Sequence, residues 1–178
     1  MLTQADPAGT RVLHGPAIIR EIQASRIDFV VSVPDLFTSE GLLRPLTQES
    51  TPRLIRVARE DEGIGIAAAL SYCEKRTLLL IQYTGFLDSI NALRAVGVDY
   101  ATPICLMVGL LGHEGGHPPR ESSRYGVRIV EPILEVMGVA CHVLDDDGDL
   151  TKIRPAIDEA YARSRPAVFL IARRPVIA

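Results

Sequence analysis

The sequence lacks several features that would assign a function at once. It has only three cysteines, Cys73, Cys105 and Cys141, whose odd number and wide spacing favour buried thiols over a disulfide framework or a metal site. Its longest apolar run, residues 104–111, is far shorter than the roughly 20 residues that cross a bilayer. The first residues also lack a basic region followed by an apolar one. We therefore expect a cytoplasmic protein without a membrane partner.

Charge and glycine patterns exclude further classes. The net charge of −3 lacks the basic excess that nucleic-acid binding requires, so nucleic acid is not expected as a partner. No GxGxxG motif follows the first predicted strand and no Walker phosphate loop occurs, which argues against dinucleotide or nucleoside triphosphate binding. The acidic run at 145–149 favours a turn and a helix cap over a magnesium site.

Periodicity predicts a regular alternation of helices and strands. Helices are predicted at residues 16–25, 36–46, 60–73, 87–96, 127–137 and 150–163, and strands at 28–33, 54–58, 77–82, 104–109, 140–144 and 167–172. The strands are continuous apolar runs, which indicates that helices cover both faces of the sheet. The predicted fold class is α/β, a doubly wound, six-stranded parallel sheet. Residues 1–12 are predicted to be a flexible N-terminal tail and residues 13–178 a single domain.

A carboxylate stands at the start of a helix that is rich in small residues. The stretch REDEGIGIAAA, residues 59–69, follows a predicted strand, so Glu60 should emerge at the carboxyl end of the sheet, where open α/β sheets bind ligands. Its acidic residues could instead only stabilise the helix N-terminus, by about 0.3–1 kcal/mol each. That alternative does not explain Gly63 and Gly65, each of which costs a helix about 1 kcal/mol relative to alanine. Small residues four positions apart, at 63 and 67 and at 65 and 69, form two rows on the helix surface. These rows would let a sheet, a second helix or a flat ligand approach closely.

Three more segments are predicted to reach the same edge of the sheet: Val33-Pro34-Asp35, Gln82-Tyr83-Thr84-Gly85 and the loop 109–124. The loop is long for a compact domain and holds His113 and His117. These two histidines have the i, i+4 spacing of a metal pair, but the surrounding glycines and prolines argue against a helix, and a third ligand is missing. We therefore expect no metal site in this chain. One histidine could contact a substrate or transfer a proton, and an exposed, flexible loop is the alternative.

With these segments placed, the chain resembles the pyrimidine-binding half of thiamine diphosphate enzymes, specifically the alpha subunits of the sulfopyruvate and phosphonopyruvate decarboxylase group. The resemblance covers roughly residues 14–172 and rests on VPD at 33–35, REDEGIGIAA at 59–68 and QYTGFLDSINAL at 82–93. It implies thiamine diphosphate as cofactor and Glu60 as the catalytic residue, in contact with N1′ of the aminopyrimidine. A carboxylic acid bonded to that nitrogen favours the imino tautomer, whose 4′ nitrogen removes the C2 proton of the thiazolium. Thr84, Gly85 and Asn91 are implied as further cofactor-binding residues.

The resemblance also implies a substrate and a partner chain. Asp35, His113, His117 and Arg120 would face a 2-oxo acid such as sulfopyruvate or phosphonopyruvate. The Gly-Asp-Gly and Asn-Asn motif that binds diphosphate and magnesium in these enzymes is absent, because Asp147-Gly148-Asp149 has the wrong order and no downstream pair. The implied partner is a diphosphate-binding beta subunit that holds the magnesium, in a homo- and hetero-oligomer.

Two alternatives to a catalytic subunit remain open. The chain could be a non-catalytic protein with the cofactor fold that only binds or assembles. It could also be an unrelated flavodoxin-like ligand-binding domain, and in that case Glu60 and Gly85 are expected to lie apart. A catalytic subunit requires that both residues line one surface.

Overall fold

A computed structural model describes residues 11–177 of the chain. Six strands form one sheet in the order β2-β1-β3-β4-β6-β5, and each neighbouring pair is parallel. The strands are β1 (Phe29–Ser32), β2 (Arg53–Arg56), β3 (Thr77–Gln82), β4 (Cys105–Gly109), β5 (Ala140–Leu144) and β6 (Ala167–Ile171). The predicted fold class is confirmed.

Helices connect the strands and cover the sheet. They are α1 (Gly15–Ala24), α2 (Arg44–Leu46), α3 (Glu60–Tyr72), α4 (Tyr83–Asp88), α5 (Ile90–Ala92), α6 (Tyr125–Arg128), α7 (Val130–Val136) and α8 (Ile153–Arg163). Wider π-helical turns at Ser39–Leu43 and Leu93–Asp99 precede α2 and follow α5, and 3₁₀ turns occur at Pro119–Glu121 and Asp147–Lys152.

The core consists of two apolar layers, one on each face of the sheet. Alternate strand residues supply both layers, so that Val30 belongs to the layer under α1, α2 and α8, while Val31 belongs to the layer under α3, α4 and α7. The connection after β1 therefore crosses one face, and the connection after β3 crosses the other. Adjacent strands whose connections diverge in this way leave a crevice at their carboxyl ends, which is the usual ligand site of open α/β sheets.

The segment after β3 differs from its predicted boundaries. The helix predicted from residue 87 begins four residues earlier, at Tyr83, directly after the last strand residue, Gln82. Tyrosine, threonine and glycine are weak helix formers, so propensity gave no sign of this first turn, and packing of α4 against α3 compensates for it. As a result, Gly85 lies in a helical turn and is buried.

The prediction of three buried thiols is wrong for Cys73. Its side chain is exposed because α3 ends at Tyr72 and Cys73 is the residue that caps it. Cys105 is buried in β4, and burial raises the pKa of its thiol to about 12. Cys141 is half-buried on β5, where desolvation raises its pKa to about 12 as well.

Most of the predicted N-terminal tail, residues 1–10, lies outside the described residues. The two tail residues that the structure describes contact the loop after β5. Arg11 forms an ion pair with Asp145 at 3.1 Å, and the backbone carbonyl of Val12 accepts a hydrogen bond from the amide of Asp147 at 3.0 Å. Within residues 11–177, no helix has the length and apolar character needed to cross a bilayer.

Candidate active site

A cleft of about 370 Å³ opens where the connections after β1 and β3 diverge. This volume falls in the range of small-molecule sites. Its walls come from the segment after β1, the start of α3 and the start of α4; the lining residues are Val33, Pro34, Asp35, Leu36, Ser39, Glu60, Gln82 and Thr84. Three residues singled out from the sequence, Asp35, Glu60 and Thr84, are therefore brought together here.

The side chain of Glu60 lies directly against the backbone of Gly85. A Cβ atom added to Gly85 would lie 2.0 Å from Oε1 and 2.2 Å from Cδ of Glu60, far inside van der Waals contact. Position 85 therefore has to be glycine for the carboxyl group to occupy this place. The flavodoxin-like alternative expected the two residues to lie apart, and this contact contradicts it.

The three acidic residues at the start of α3 have different environments. Asp61 accepts two hydrogen bonds from Arg59, at 3.0 and 2.9 Å, and one from the amide of Glu62 at 2.9 Å. The hydrogen bond from Arg59 lowers the pKa of Asp61. Glu62 accepts a hydrogen bond from the amide of Ala58 at 3.3 Å. Asp61 thus binds an amide of the first turn and Glu62 binds an amide just before the helix, whereas no donor in residues 11–177 hydrogen-bonds the Glu60 carboxylate.

Asp35 lines the cleft, but its carboxylate holds the turn that follows. Oδ1 accepts hydrogen bonds from the amides of Phe37 and Thr38 at 2.5 and 2.7 Å, and Oδ2 accepts one from the Thr38 hydroxyl at 2.6 Å. The hydroxyl of Ser39 also donates to the Asp35 carbonyl. This turn delays the helix predicted from residue 36 and places the side chain of Leu36, 76% exposed, at the cleft wall.

The residues predicted on α4 and α5 lie at different distances from the cleft wall. Thr84 is exposed in the cleft, and its hydroxyl accepts a hydrogen bond from Gln82 at 2.9 Å. Asn91 is exposed on α5 and is not among the lining residues. Its side-chain oxygen accepts a hydrogen bond from Arg94 at 3.0 Å. The structure therefore groups Thr84 and Gly85 with Glu60 and leaves Asn91 on the outer surface.

The long loop after β4 does not reach the cleft. Nε2 of His113 lies 3.1 Å from the carbonyl oxygen of His117, so the loop folds on itself. A Cβ added to Gly115 would lie 2.8 Å from the guanidinium of Arg173, which places the loop tip over the segment after β6. None of the three predicted loop residues lines the cleft.

Arg120, the third predicted loop residue, lies against α7. Its guanidinium is 3.6 Å from Glu131 and 3.7 Å from Glu135, and its backbone amide donates to Glu131 at 3.2 Å. Within the described part of the chain, no group of three or more potential metal-ligating side chains occurs.

Sequence reasoning missed two residues of the cleft wall, Leu36 and Ser39. The signal that could have found them is Asp35, three residues after the end of β1, with Thr38 and Ser39 three and four residues further along the chain. Such an aspartate often binds the amides two and three residues on and forms a turn. That turn is what presents Leu36 and Ser39 to the cleft.

The two rows of small residues on α3 have different neighbours. A Cβ on Gly63 would lie 3.4 Å from side chains of Leu79 and Val31, so this row packs on the sheet. Within residues 11–177, nothing lies within 4 Å of a Cβ added to Gly65. Ala69 and Tyr72, on the same side of the helix, are exposed, Tyr72 to 92%. The second row is thus an open surface that begins at Gly65, five residues after Glu60.

Comparison with known proteins adds independent evidence. No protein-family model matches the sequence. The chain is 32% identical over 157 residues to the sulfopyruvate decarboxylase subunit alpha of Methanothermobacter thermautotrophicus, which covers 85% of this chain and 94% of that one. It is 31% identical over 156 residues to the subunit alpha of Methanocaldococcus jannaschii, with 86% and 90% covered.

A longer relative is matched over part of its length. The chain is 27% identical over 157 residues to the sulfopyruvate decarboxylase of Methanosarcina acetivorans and spans 38% of that protein. The two subunit alpha relatives named above, in contrast, are matched over 94% and 90% of their length. On this identity and coverage, together with the motifs that line the cleft, the chain belongs to the family of sulfopyruvate decarboxylase alpha subunits.

Proposed function

We propose that this chain is the alpha subunit of a thiamine diphosphate-dependent 2-oxo acid decarboxylase and that Glu60 is its catalytic residue. The observation that carries the proposal is the place of the Glu60 carboxyl group: over Gly85, at the cleft, and without a partner in residues 11–177. The names of the relatives support a sulfopyruvate-like substrate, which has a sulfonate in addition to the 2-oxo acid.

The residues of the cleft fit one edge of an aminopyrimidine ring. A flat ring needs apolar contacts on its face and a hydrogen-bonding group at the reacting nitrogen. Pro34 and Leu36 offer the apolar contacts, and Glu60 offers the carboxyl group. When bound, thiamine diphosphate supplies the electron sink for decarboxylation. Glu60 would hold and release a proton at the ring nitrogen and so select the reactive tautomer, while Gly85 keeps the space in which the carboxyl group moves.

A partner chain would complete this site. The close relatives are named as alpha subunits, and the longer Methanosarcina protein, of which this chain spans 38%, is named as the whole decarboxylase. The diphosphate motif expected from the resemblance would then belong to a beta subunit, which would also hold the magnesium. The open row on α3 starts at Gly65, five residues after Glu60, so a chain that covers it would contact the helix that presents Glu60. Exposed apolar surface next to a site is typical of such contacts.

The test is reconstitution of the two chains. We expect that this chain alone neither binds thiamine diphosphate and magnesium below micromolar concentration nor releases CO₂ from sulfopyruvate, and that the assembled pair does both. Titration calorimetry and a coupled CO₂ assay measure the two properties. Sub-micromolar cofactor binding by the isolated chain would contradict a site divided between subunits, and an assembled pair without decarboxylation would contradict the proposed activity.

A further inference from the structure

A groove continues from the cleft toward the edge strand β2. It has a volume of about 310 Å³, and its lining residues are Pro34, Ser39, Leu43, Arg44, Thr47 and Arg56. Pro34 and Ser39 line the cleft with Glu60 as well, so the two spaces share these wall residues and lie side by side. A ligand that occupies the cleft would therefore lie next to the groove.

The two spaces differ in charge. The cleft contains two carboxylates, Asp35 and Glu60, and its lining residues include no cation. The groove contains two arginines. Arg44 lies 3.0 Å from Glu40, which neutralises much of its charge. Arg56 is exposed, and its side chain has no hydrogen bond or ion pair with any residue in 11–177, so its guanidinium is available to a ligand.

Arg56 is also close to the proposed catalytic residue along the chain. It is the last residue of β2, its Cα is in register with Ser32 at the end of β1, and Glu60 follows four residues later. Four residues of extended chain span at most about 14 Å. Arg56 and Glu60 can therefore contact different parts of one bound assembly of cofactor and substrate.

We propose that Arg56 binds the second anionic group of the substrate and so selects 2-oxo acids that carry a sulfonate or a similar anion. This inference rests on the proposed function. A guanidinium presents a planar set of N–H donors that matches the oxygens of such anions and binds them with short, charge-assisted hydrogen bonds. Arg120, which the resemblance implied as a substrate-facing residue, lies outside the cleft and against Glu131 and Glu135.

The competing explanation is that Arg56 only protects an exposed sheet edge, since charged side chains on edge strands hinder pairing with other chains. Arg53 provides the matched control for it. It is exposed on the same strand, with its guanidinium 5.7 Å from the centre of the Phe29 ring, and it lines neither the cleft nor the groove. Edge protection predicts similar effects for both arginines, whereas anion binding predicts an effect for Arg56 alone.

Steady-state kinetics of the assembled enzyme at saturating thiamine diphosphate separate these explanations. Arg56→Gln is expected to raise KM for sulfopyruvate roughly tenfold. It should leave kcat within about twofold, because the contact is the same in the ground and transition states. KM for pyruvate, which lacks the sulfonate, should not change. Arg53→Gln should leave both KM values unchanged.

A binding experiment tests this inference without requiring that the enzyme turns over. 3-Sulfopropanoate has the sulfonate but no keto group, so it binds without reacting, and calorimetry on the assembled pair measures its affinity. Arg56→Gln is expected to weaken this affinity roughly tenfold, and Arg53→Gln is not. Unchanged affinity in Arg56→Gln, an equal loss in both variants, or a loss of cofactor affinity instead would overturn the assignment. A pair that binds 3-sulfopropanoate through Arg56 but does not decarboxylate sulfopyruvate would contradict the proposed function alone.

Discussion

Glu60 owes its place at the cleft to a contact that no other residue at position 85 permits. Its carboxyl group occupies the volume in which a Cβ of residue 85 would stand. The neighbouring Asp61 and Glu62 accept hydrogen bonds from backbone amides near the start of α3, whereas Glu60 accepts none from residues 11–177. At the scale of single residues, Asp61 and Glu62 have hydrogen-bond partners near the helix start. Glu60 is therefore the one of these three consecutive acids that remains a candidate catalytic group.

Gly85→Ala tests the contact without changing a charged group. The new Cβ would lie 2.0 Å from Oε1 of Glu60, so the carboxyl group has to move. Because displacements of about 1 Å at a reacting group can cost on the order of 100-fold in rate, we expect a loss of that order in kcat of the assembled enzyme. Gly65→Ala, the same change at an open helical position, is the control for folding of the isolated chain and should increase its thermal stability. Wild-type kcat in Gly85→Ala would contradict the structural reading of this contact.

The thiols offer a second test at this scale. Burial raises the pKa values of Cys105 and Cys141 to about 12, so both remain protonated and unreactive at pH 8. Cys73 is exposed. An aromatic disulfide reagent should therefore titrate one thiol rapidly in the native chain and all three after denaturation. Cys73→Ser should remove the rapid phase, and a rapid phase that survives in this variant would contradict the burial of the other two.

At the scale of elements, helix α3 joins the candidate site to an open surface. Its first turn presents Glu60, one side packs on the sheet through Gly63, and the opposite side is exposed at Ala69 and Tyr72. A helix that is apolar on most sides is typically buried on most sides, which supports a partner chain on the exposed row.

Ala69→Leu tests whether a partner covers this row. The larger side chain should weaken association of the two chains at least tenfold if the row is buried at the interface, because a tightly packed contact does not accept three more carbons without strain. Ala162→Leu, the same substitution on the exposed side of α8, is the matched control and should have no effect. Sedimentation velocity of mixed chains measures the association. Equal affinity for both variants would place the interface elsewhere.

Elements with strong apolar patterns were predictable, and elements set by polar contacts were not. The strands β3 and β5 begin and end as predicted, because their buried runs have clear limits. The start of α4 was missed because Tyr83, Thr84 and Gly85 carry no helical signal of their own. The turn after β1 was missed because it depends on hydrogen bonds of Asp35 that the periodicity does not report.

At the scale of the whole molecule, strand order decides which predicted residues meet. All the candidate segments were expected at one edge of the sheet, and the sequence did not distinguish positions along that edge. The order β2-β1-β3-β4 places the segments after β1 and β3 side by side with the start of α3, whereas the loop after β4 lies toward β6. Asp35, Thr84, Gly85 and Glu60 are therefore grouped, and the roles predicted for His113, His117, Arg120 and Asn91 stay predictions.

Exchange of the C2 proton of thiamine diphosphate in the assembled enzyme tests the central claim most directly. Glu60→Gln preserves the volume and can still donate a hydrogen bond to the ring nitrogen, but it cannot hold and release a proton as a carboxyl group does. We expect that this variant folds, assembles and binds cofactor, and that its rate of deuterium exchange at C2 falls by at least 100-fold relative to wild type. Exchange as fast as in wild type would show that Glu60 is only a helix-terminal charge and would contradict its catalytic role.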